Sequence, residues 1–216
     1  MTLGLILVGG FAQGGQSAAA GLDSEPPTIT LHVYNYAEVD HKTLMGAEKV
    51  ATVIFRKAGV ESLWVEAAPS SENKGANSKN QEWLSHLAHF QIVIFPLSMA
   101  EPLHLPDNAL GLAPGAGPDR LRVYVFYNRV ESLAREQTRA QIKGSVCTQA
   151  GPAQILGTVI GHEIGHLLLN LKSHSDVGIM RGGWDHNDLQ TISYGSLLFT
   201  PQQAEVIRAD VSRRLR

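Results

Sequence analysis

The first regular pattern along the chain is an alternation of apolar and polar residues. The spacing of the apolar residues then changes to that of a helix. Ile29 to Tyr36 alternates and is rich in β-branched and aromatic residues, which predicts a strand. From His41 to Lys57 the apolar residues recur on one helical face, with Asp40 in position to cap the first turn and Gly59 to end the helix. Glu61 to Val65 predicts a second strand.

The middle of the chain predicts two more strands between irregular stretches. Phe90 to Phe95 and Leu121 to Tyr127 are short apolar runs dense in β-formers, which is typical of buried strands. Val130 to Ile142 predicts a short helix. The remaining segments predict a polar surface loop at 69–81, a short helix at 83–89, and an irregular or edge element in the Pro- and Gly-rich stretch 101–120.

The longest apolar segment, Ala153 to Leu171, predicts a helix that is buried on nearly all sides. Pro152 precedes it, and proline is favoured at the first position of a helix. The chain beyond Asn170 is loop-rich and ends in one helix, which Thr200 and Gln203 can open as a capping box. The apolar residues on one side of that last helix are Ala204, Ile207 and Val211.

This order of elements predicts an α/β (α+β) fold. We expect a small mixed, mostly parallel sheet over the long apolar helix, because helices or long connections separate most of the strands. A loop-rich C-terminal lobe ending in a helix completes the fold. The length of 216 residues fits one domain, which we place at 28–216, with an upper lobe at 28–170 and a lower lobe at 171–216.

The composition removes several classes of function. The chain has 18 Lys and Arg against 20 Asp and Glu, so its charge favours neither nucleic acid nor an anionic membrane. Its one cysteine, Cys147, excludes an internal disulfide. Basic residues gather at the end of the last helix, where the helix dipole favours cations, and we interpret them as a solvated helix end. They are Arg213, Arg214 and Arg216.

The N-terminus has features of a targeting segment. Met1 to Gly10 is an apolar run close to the length of a signal-peptide core and too short to cross a membrane, and small residues follow it up to Gly21. We therefore predict that 1–21 is a signal peptide or a disordered N-terminus, and that the protein is secreted or periplasmic. No Lys or Arg precedes the apolar run, so a buried first strand or a truncated start is the alternative.

The long apolar helix contains the pentad His162-Glu163-Ile164-Gly165-His166, an HExxH motif. Residues four apart on a helix are separated by about 40° around its axis, so both imidazoles point the same way. Two imidazoles so placed can bind one zinc ion. Glu163 lies about 100° further round, where it can hold a water molecule without binding the metal itself.

A catalytic zinc needs a third protein ligand and an open position for water. His174 is the leading candidate, because Asn170 can end the helix in the left-handed conformation and turn the chain back towards the metal. Asp176 and Glu205 are the alternatives, and Asp176 can also support a ligating histidine.

The HExxH pentad, His174 and the run Val177 to Met180 together resemble the metzincin metallopeptidases. That clan has a glycine and a third histidine after its HExxH motif, followed by a tight turn with a methionine beneath the zinc. Met180 looks like this methionine, and we expect Trp184 to pack beneath the same turn. The resemblance in motif covers Gly161 to Trp184, and the expected order of elements resembles the clan over most of the chain.

The chain departs from the usual metzincin pattern at two positions. Leu169 and Lys172 stand where the clan usually has the glycine and the third histidine. The resemblance therefore assigns those roles to Asn170 and His174, one and two residues later.

The motif and the resemblance imply a zinc-dependent endopeptidase with 28–216 as its catalytic domain. Zn²⁺ bound by His162, His166 and His174 would lower the pKa of a bound water, and Glu163 would take its proton during hydrolysis of a peptide bond. Extended substrate would pair with an edge strand within Ala109 to Gly117.

The predicted partner is a peptide or protein substrate, with no nucleic acid and no stable membrane insertion, and we expect a monomer. The alternative function is a non-catalytic secreted binding protein that keeps a metzincin-like fold around a structural or vestigial zinc site. A closed site with both His174 and Asp176 on the metal would favour that alternative.

Overall fold

The computed structural model of the chain describes residues 25–67, 88–100, 106, 108–115, 120–142, 149–170 and 174–216. The predicted signal peptide at 1–21, the predicted surface loop at 69–81, residues 83–87 of the predicted helix at 83–89, and Cys147 lie outside the described residues.

Strands and helices follow one another closely along the described residues. The strands are β1 (Thr28–Asn35), β2 (Glu61–Glu66), β3 (His89–Phe95), β4 (Gly111–Leu112) and β5 (Arg122–Phe126). The helices are α1 (His41–Lys57), α2 (Leu97–Ala100), α3 (Tyr127–Ile142), α4 (Pro152–Leu169), α5 (His186–Ser193) and α6 (Pro201–Arg214). The α+β fold class predicted from the sequence is thereby confirmed.

The strands form one sheet in the order β2-β1-β3-β5-β4. Strands β2, β1, β3 and β5 are parallel, whereas β4 is antiparallel to β5, pairing Gly111 with Val125 and Leu112 with Tyr124. The predicted mixed, mostly parallel sheet is confirmed. Strand β4 lies in the stretch predicted to be irregular or an edge element, and it is the last strand of the sheet.

The long helix α4 is the centre of the fold. It packs closely on α1, since a Cβ atom on Gly157 would lie 2.4 Å from the carbonyl oxygen of Ala47. Its apolar residues are buried on almost every side, as its composition predicts, and they join the sheet and α6 in one hydrophobic core. This packing leaves a short stretch of α4 facing a cleft.

Side chains predicted to cap helices do so. Asp40 accepts a hydrogen bond from the amide of Thr43 at 3.0 Å, at the start of α1. Thr200 and Gln203 form a reciprocal capping box at the start of α6. Asn170 ends α4 in the left-handed conformation, with φ of 50°. The chain direction after α4 is therefore set by a residue whose role is readable in the sequence.

The C-terminal lobe contains one helix that the sequence does not predict. Helix α5 begins after Asp185, whose carboxylate caps it, and Arg181 forms ion pairs with both Asp185 and Asp188. The final helix α6 buries the predicted apolar residues Ala204, Ile207 and Val211. Within the described part of the chain, none of the helices is both long and apolar enough to cross a membrane.

The prediction of a solvated basic helix end is wrong for Arg214. Its side chain is only 14% exposed, pairs with Asp210, and donates to the carbonyl of Leu167 at 3.2 Å. Its guanidinium also lies 5.4 Å from the centre of the Phe90 ring. Arg213, by contrast, is 68% exposed while it pairs with Asp210. Arg214 is buried because the end of α6 docks beside the end of α4, where an unpaired carbonyl needs a donor.

Candidate metal and catalytic site

Three histidines converge at the part of α4 that faces the cleft. The Nε2 atoms of His162 and His166, one turn apart on α4, are 3.1 Å from each other. After the turn at Asn170 the chain returns, and the ring of His174 lies 5.3 Å from that of His162 and 5.0 Å from that of His166, measured between ring centres. One nitrogen from each ring lies within 4.8 Å of the other two.

This arrangement can hold a metal ion. Two nitrogens bound to one tetrahedral ion at 2.0–2.1 Å would be about 3.3 Å apart, close to the separation of the His162 and His166 nitrogens. Among the described residues, these three histidines are the group of ligand side chains close enough together for an ion. Asp176 and Glu205 are exposed and do not belong to this group.

A backbone carbonyl orients the ring of His162. The Nδ1 atom of His162 donates a hydrogen bond to the carbonyl oxygen of Ile179 at 2.7 Å. This contact directs the Nε2 atom of His162 towards the other two histidines. Trp184 donates its indole N–H to the same oxygen at 3.3 Å and meets the His162 ring edge-on. Burial lowers the pKa of His162 to about 4, so this ring is neutral at neutral pH, the form in which an imidazole can bind a metal ion.

Met180 lies directly against α4 at Gly165, which is between His162 and His166 in the sequence. Its side chain is fully buried, and a Cβ atom on Gly165 would lie only 2.6 Å from its sulfur. The amide of Ser175 donates to the carbonyl of Met180 at 2.9 Å. The residue after His174 is thus tied to the methionine, and the segment 174–180 forms a short closed loop against the helix.

The Glu163 side chain lies against Gly111 of strand β4. Its side chain is 7% exposed, and this burial raises its pKa to about 8. A Cβ atom on Gly111 would lie 2.6 Å from the Glu163 Oε1 atom, so the absence of a side chain at 111 makes room for the carboxylate. A divalent cation next to this group would favour its ionised form.

The cleft runs along β4 on both sides of Glu163. One side has a volume of about 830 Å³, and we call it the apolar half after Leu110, Leu133, Val159 and Trp184, which line it. The other side has a volume of about 640 Å³, and we call it the arginine half after Arg120, Arg213 and Arg214. Both halves reach Gly111, Glu163 and His174. The cleft therefore passes over the histidines instead of ending at them.

Arg129 of α3 holds the chain that enters β4. Its Nη1 donates to the carbonyl oxygens of Pro106 at 2.8 Å and Ala109 at 2.6 Å. Next along the chain, the carbonyl of Leu110 accepts from the amide of Phe126 at 2.9 Å. The sequence contains no local signal for this contact, because Arg129 and the segment it holds belong to different elements.

The motif residues singled out in the sequence are thus brought together. The structure brings His162, His166 and His174 together and places Glu163 in the same cleft, Met180 against the helix at Gly165, and Trp184 on the Ile179 carbonyl. Gly111 and Arg129 are additional residues that shape the site. A comparison of the chain with known protein families and with curated proteins finds no match.

Proposed function

We propose that this chain is a zinc-dependent endopeptidase of metzincin-like design. The proposal rests above all on one observation: three imidazoles converge in a cleft that is also lined by the buried carboxylate of Glu163, the residue after His162. The HExxH spacing accounts for two of these rings and for the carboxylate, and the left-handed turn at Asn170 accounts for the third ring.

The ligand set favours zinc over harder cations. Magnesium and calcium prefer oxygen ligands, whereas neutral imidazole nitrogens suit zinc and related transition metals. Three protein ligands with space on the cleft side are also what a catalytic zinc requires, since a structural zinc normally has four protein ligands. The Glu163 carboxylate lines the same cleft as the three rings but does not belong to the ligand group.

The chain supplies the groups that peptide hydrolysis requires. When bound, zinc would act as a Lewis acid that polarises the scissile carbonyl and makes water a better nucleophile. Glu163 would take a proton from the attacking water and then donate it to the nitrogen of the leaving amine. Because Gly111 has no side chain, there is space for the Glu163 carboxylate. The hydrogen bond to the Ile179 carbonyl holds the orientation of the His162 ring.

Strand β4 offers a way to bind an extended peptide. It is the last strand of the sheet among the described residues, so its outer main-chain groups face away from β5 and can pair with a substrate strand. The cleft continues on both sides of Glu163, so substrate can extend in both directions from the reacting bond. This favours cleavage within a chain over removal of terminal residues.

The test combines metal content with hydrolysis of fluorescein-labelled casein by the full chain. We expect about one zinc per chain in the wild type and its loss in His174→Ala. Glu163→Gln should keep the zinc, because this side chain is not a ligand, and should lower kcat by about 10²–10⁴-fold. His41→Ala is the matched control, because His41 is an exposed histidine at the start of α1, and it should change neither quantity.

Two results would contradict the proposal. A wild-type chain that takes up no zinc from zinc-supplemented buffer excludes the metal site. Zinc bound by the three histidines without casein hydrolysis would favour the non-catalytic binding protein, whereas hydrolysis unaffected by Glu163→Gln would exclude Glu163 as the general base.

A further inference from the structure

The two halves of the cleft differ in electrostatic character. Arg120, Arg213 and Arg214 line the arginine half, and the carboxylate of Asp210 forms ion pairs with both Arg213 and Arg214. One carboxylate shared by two guanidinium groups leaves a positive charge there, and Arg120 adds a second. Arg120 is exposed and Arg213 is 68% exposed, so both can reach a ligand in the cleft.

In the apolar half, by contrast, the two lining arginines are outnumbered by the carboxylates that pair with them or line that half. Arg129 donates to two backbone carbonyls, and Arg181 pairs with Asp185 and Asp188. The carboxylate of Glu136 adds a negative charge to that lining. The positive charge available to a substrate is therefore concentrated on one side of Glu163.

The direction of β4 relates this asymmetry to the direction of a bound peptide. The chain passes from Ala109 and Leu110 in the apolar half to Ala113 and Gly115 in the arginine half. Antiparallel pairing is slightly more stable per residue than parallel pairing, so we take a substrate strand to run opposite to β4. Its residues on the N-terminal side of the reacting bond would then lie in the arginine half.

We infer that the arginine half selects peptides with an acidic side chain on the N-terminal side of the bond that is cleaved. This inference rests on the proposed peptidase function and adds a substrate class to it. Guanidinium groups bind carboxylates through charge-assisted hydrogen bonds, and Arg120 and Arg213 are the two exposed donors placed to make them.

The cleavage experiment uses quenched fluorescent octapeptides that differ at one position. Glu, Gln or Lys stands at each of the three positions N-terminal to a fixed central bond, and mass spectrometry identifies the bond that is cut. We expect kcat/KM to be about fivefold higher for Glu than for Gln, as for an exposed ion pair, and lower still for Lys. The preference should shrink at 0.5 M salt, because screening weakens exposed charge pairs.

Variants of the chain test the source of this preference. The double variant Arg120→Gln/Arg213→Gln should bring the Glu-to-Gln ratio close to one. Arg216→Gln is the matched control, since it removes one charge from the same exposed helix end, and it should leave the ratio unchanged. A wild-type ratio near one, or an acidic preference on the C-terminal side of the bond, would overturn the inference.

A binding experiment separates this inference from the proposed function. The same peptides, labelled with fluorescein, are titrated with zinc-loaded Glu163→Gln chain, and anisotropy gives Kd. Tighter binding of the Glu peptide, lost in the arginine double variant, would support acidic selection even if no peptide is cleaved. Equal binding of the Glu, Gln and Lys peptides to Glu163→Gln, together with their cleavage by the wild type, would refute the selection while leaving the peptidase proposal intact.

Discussion

Helix α4 and strand β4 face each other across Glu163, and they are held in very different ways. Helix α4 has 18 residues, most of them buried, and its own hydrogen bonds keep His162 and His166 in line. Strand β4 has two residues and depends on β5, Arg129 and the space at Gly111. Two of the three candidate metal ligands thus stand on the long buried helix, while the proposed substrate strand is attached by a few contacts.

This contrast leads us to expect all-or-none effects from changes in α4 and graded effects from changes around β4. A substitution that disturbs the packing of α4 affects the hydrophobic core, Met180 and the two histidines of the helix together. A defect at β4 changes the position of substrate or of one carboxylate, and the remainder of the fold stays in place. Three substitutions test the difference, from the largest expected effect to the smallest.

Gly165→Val should destabilise the whole protein. The Cβ position at residue 165 lies 2.6 Å from the Met180 sulfur and 2.7 Å from the Phe199 ring, and neither can withdraw easily from a packed core. Overpacking of this kind costs about 1–3 kcal/mol of unfolding free energy, measured by urea denaturation.

The matched control for that substitution is Gly183→Val, because no atom lies within 4 Å of its Cβ position. It should change stability by less than about 0.5 kcal/mol. Equal losses in the two variants would show that the contact between Gly165 and Met180 does not limit packing.

Gly111→Ala should reduce catalysis while the protein stays folded and keeps its zinc. The added methyl group would lie 2.6 Å from Glu163 Oε1, so either the carboxylate or β4 must move. A displacement of about 1 Å at a reacting group can cost up to about 10²-fold in rate, so we expect kcat to fall by about 10- to 100-fold. Steady-state kinetics on a quenched peptide, with zinc content measured in parallel, tests this. A loss of zinc together with activity would mean that the methyl group disturbs the metal ligands instead.

Arg129→Ala should weaken substrate binding more than catalysis. It removes the hydrogen bonds that hold the carbonyls of Pro106 and Ala109, each typically contributing about 1 kcal/mol. The strand would then have to be ordered by the substrate, which should raise KM by about fivefold with a smaller change in kcat.

Arg135→Ala on the same helix is the control for that variant, because its exposed side chain pairs with Glu131 and with Ser132. It should leave KM unchanged. A fall in kcat at constant KM for Arg129→Ala would show that the arginine positions Glu163 and not the substrate strand.

The contrast between α4 and β4 also explains what the sequence predicts. The spacing of His162 and His166, the turn at Asn170 and the caps at Asp40 and Thr200 are local properties, so they can be read from neighbouring residues. The sheet follows from the strand patterns and the long connections between them.

Helix α5 has a local cap at Asp185 and local ion pairs with Arg181, but at eight residues it is too short for its apolar spacing to predict a helix. The other features depend on contacts between distant segments. Arg214 appears in the sequence as one member of a basic cluster, and only the docking of α6 buries it. The roles of Gly111 and Arg129 likewise appear only when β4 lies over α4.

The carbonyl oxygen of Ile179 has a consequence for how the site is assembled. It accepts hydrogen bonds from His162 and Trp184, and so it joins α4 to the segment that carries His174 and Met180. An ion bound by all three histidines would cross-link the same two segments a second time. Metal capture and the docking of the C-terminal segment would then be one cooperative event. A chain whose C-terminal lobe had not yet docked would lack His174 as the third ligand, and its His162 ring would not be oriented. Such a chain would not have the proposed hydrolase activity until folding was complete.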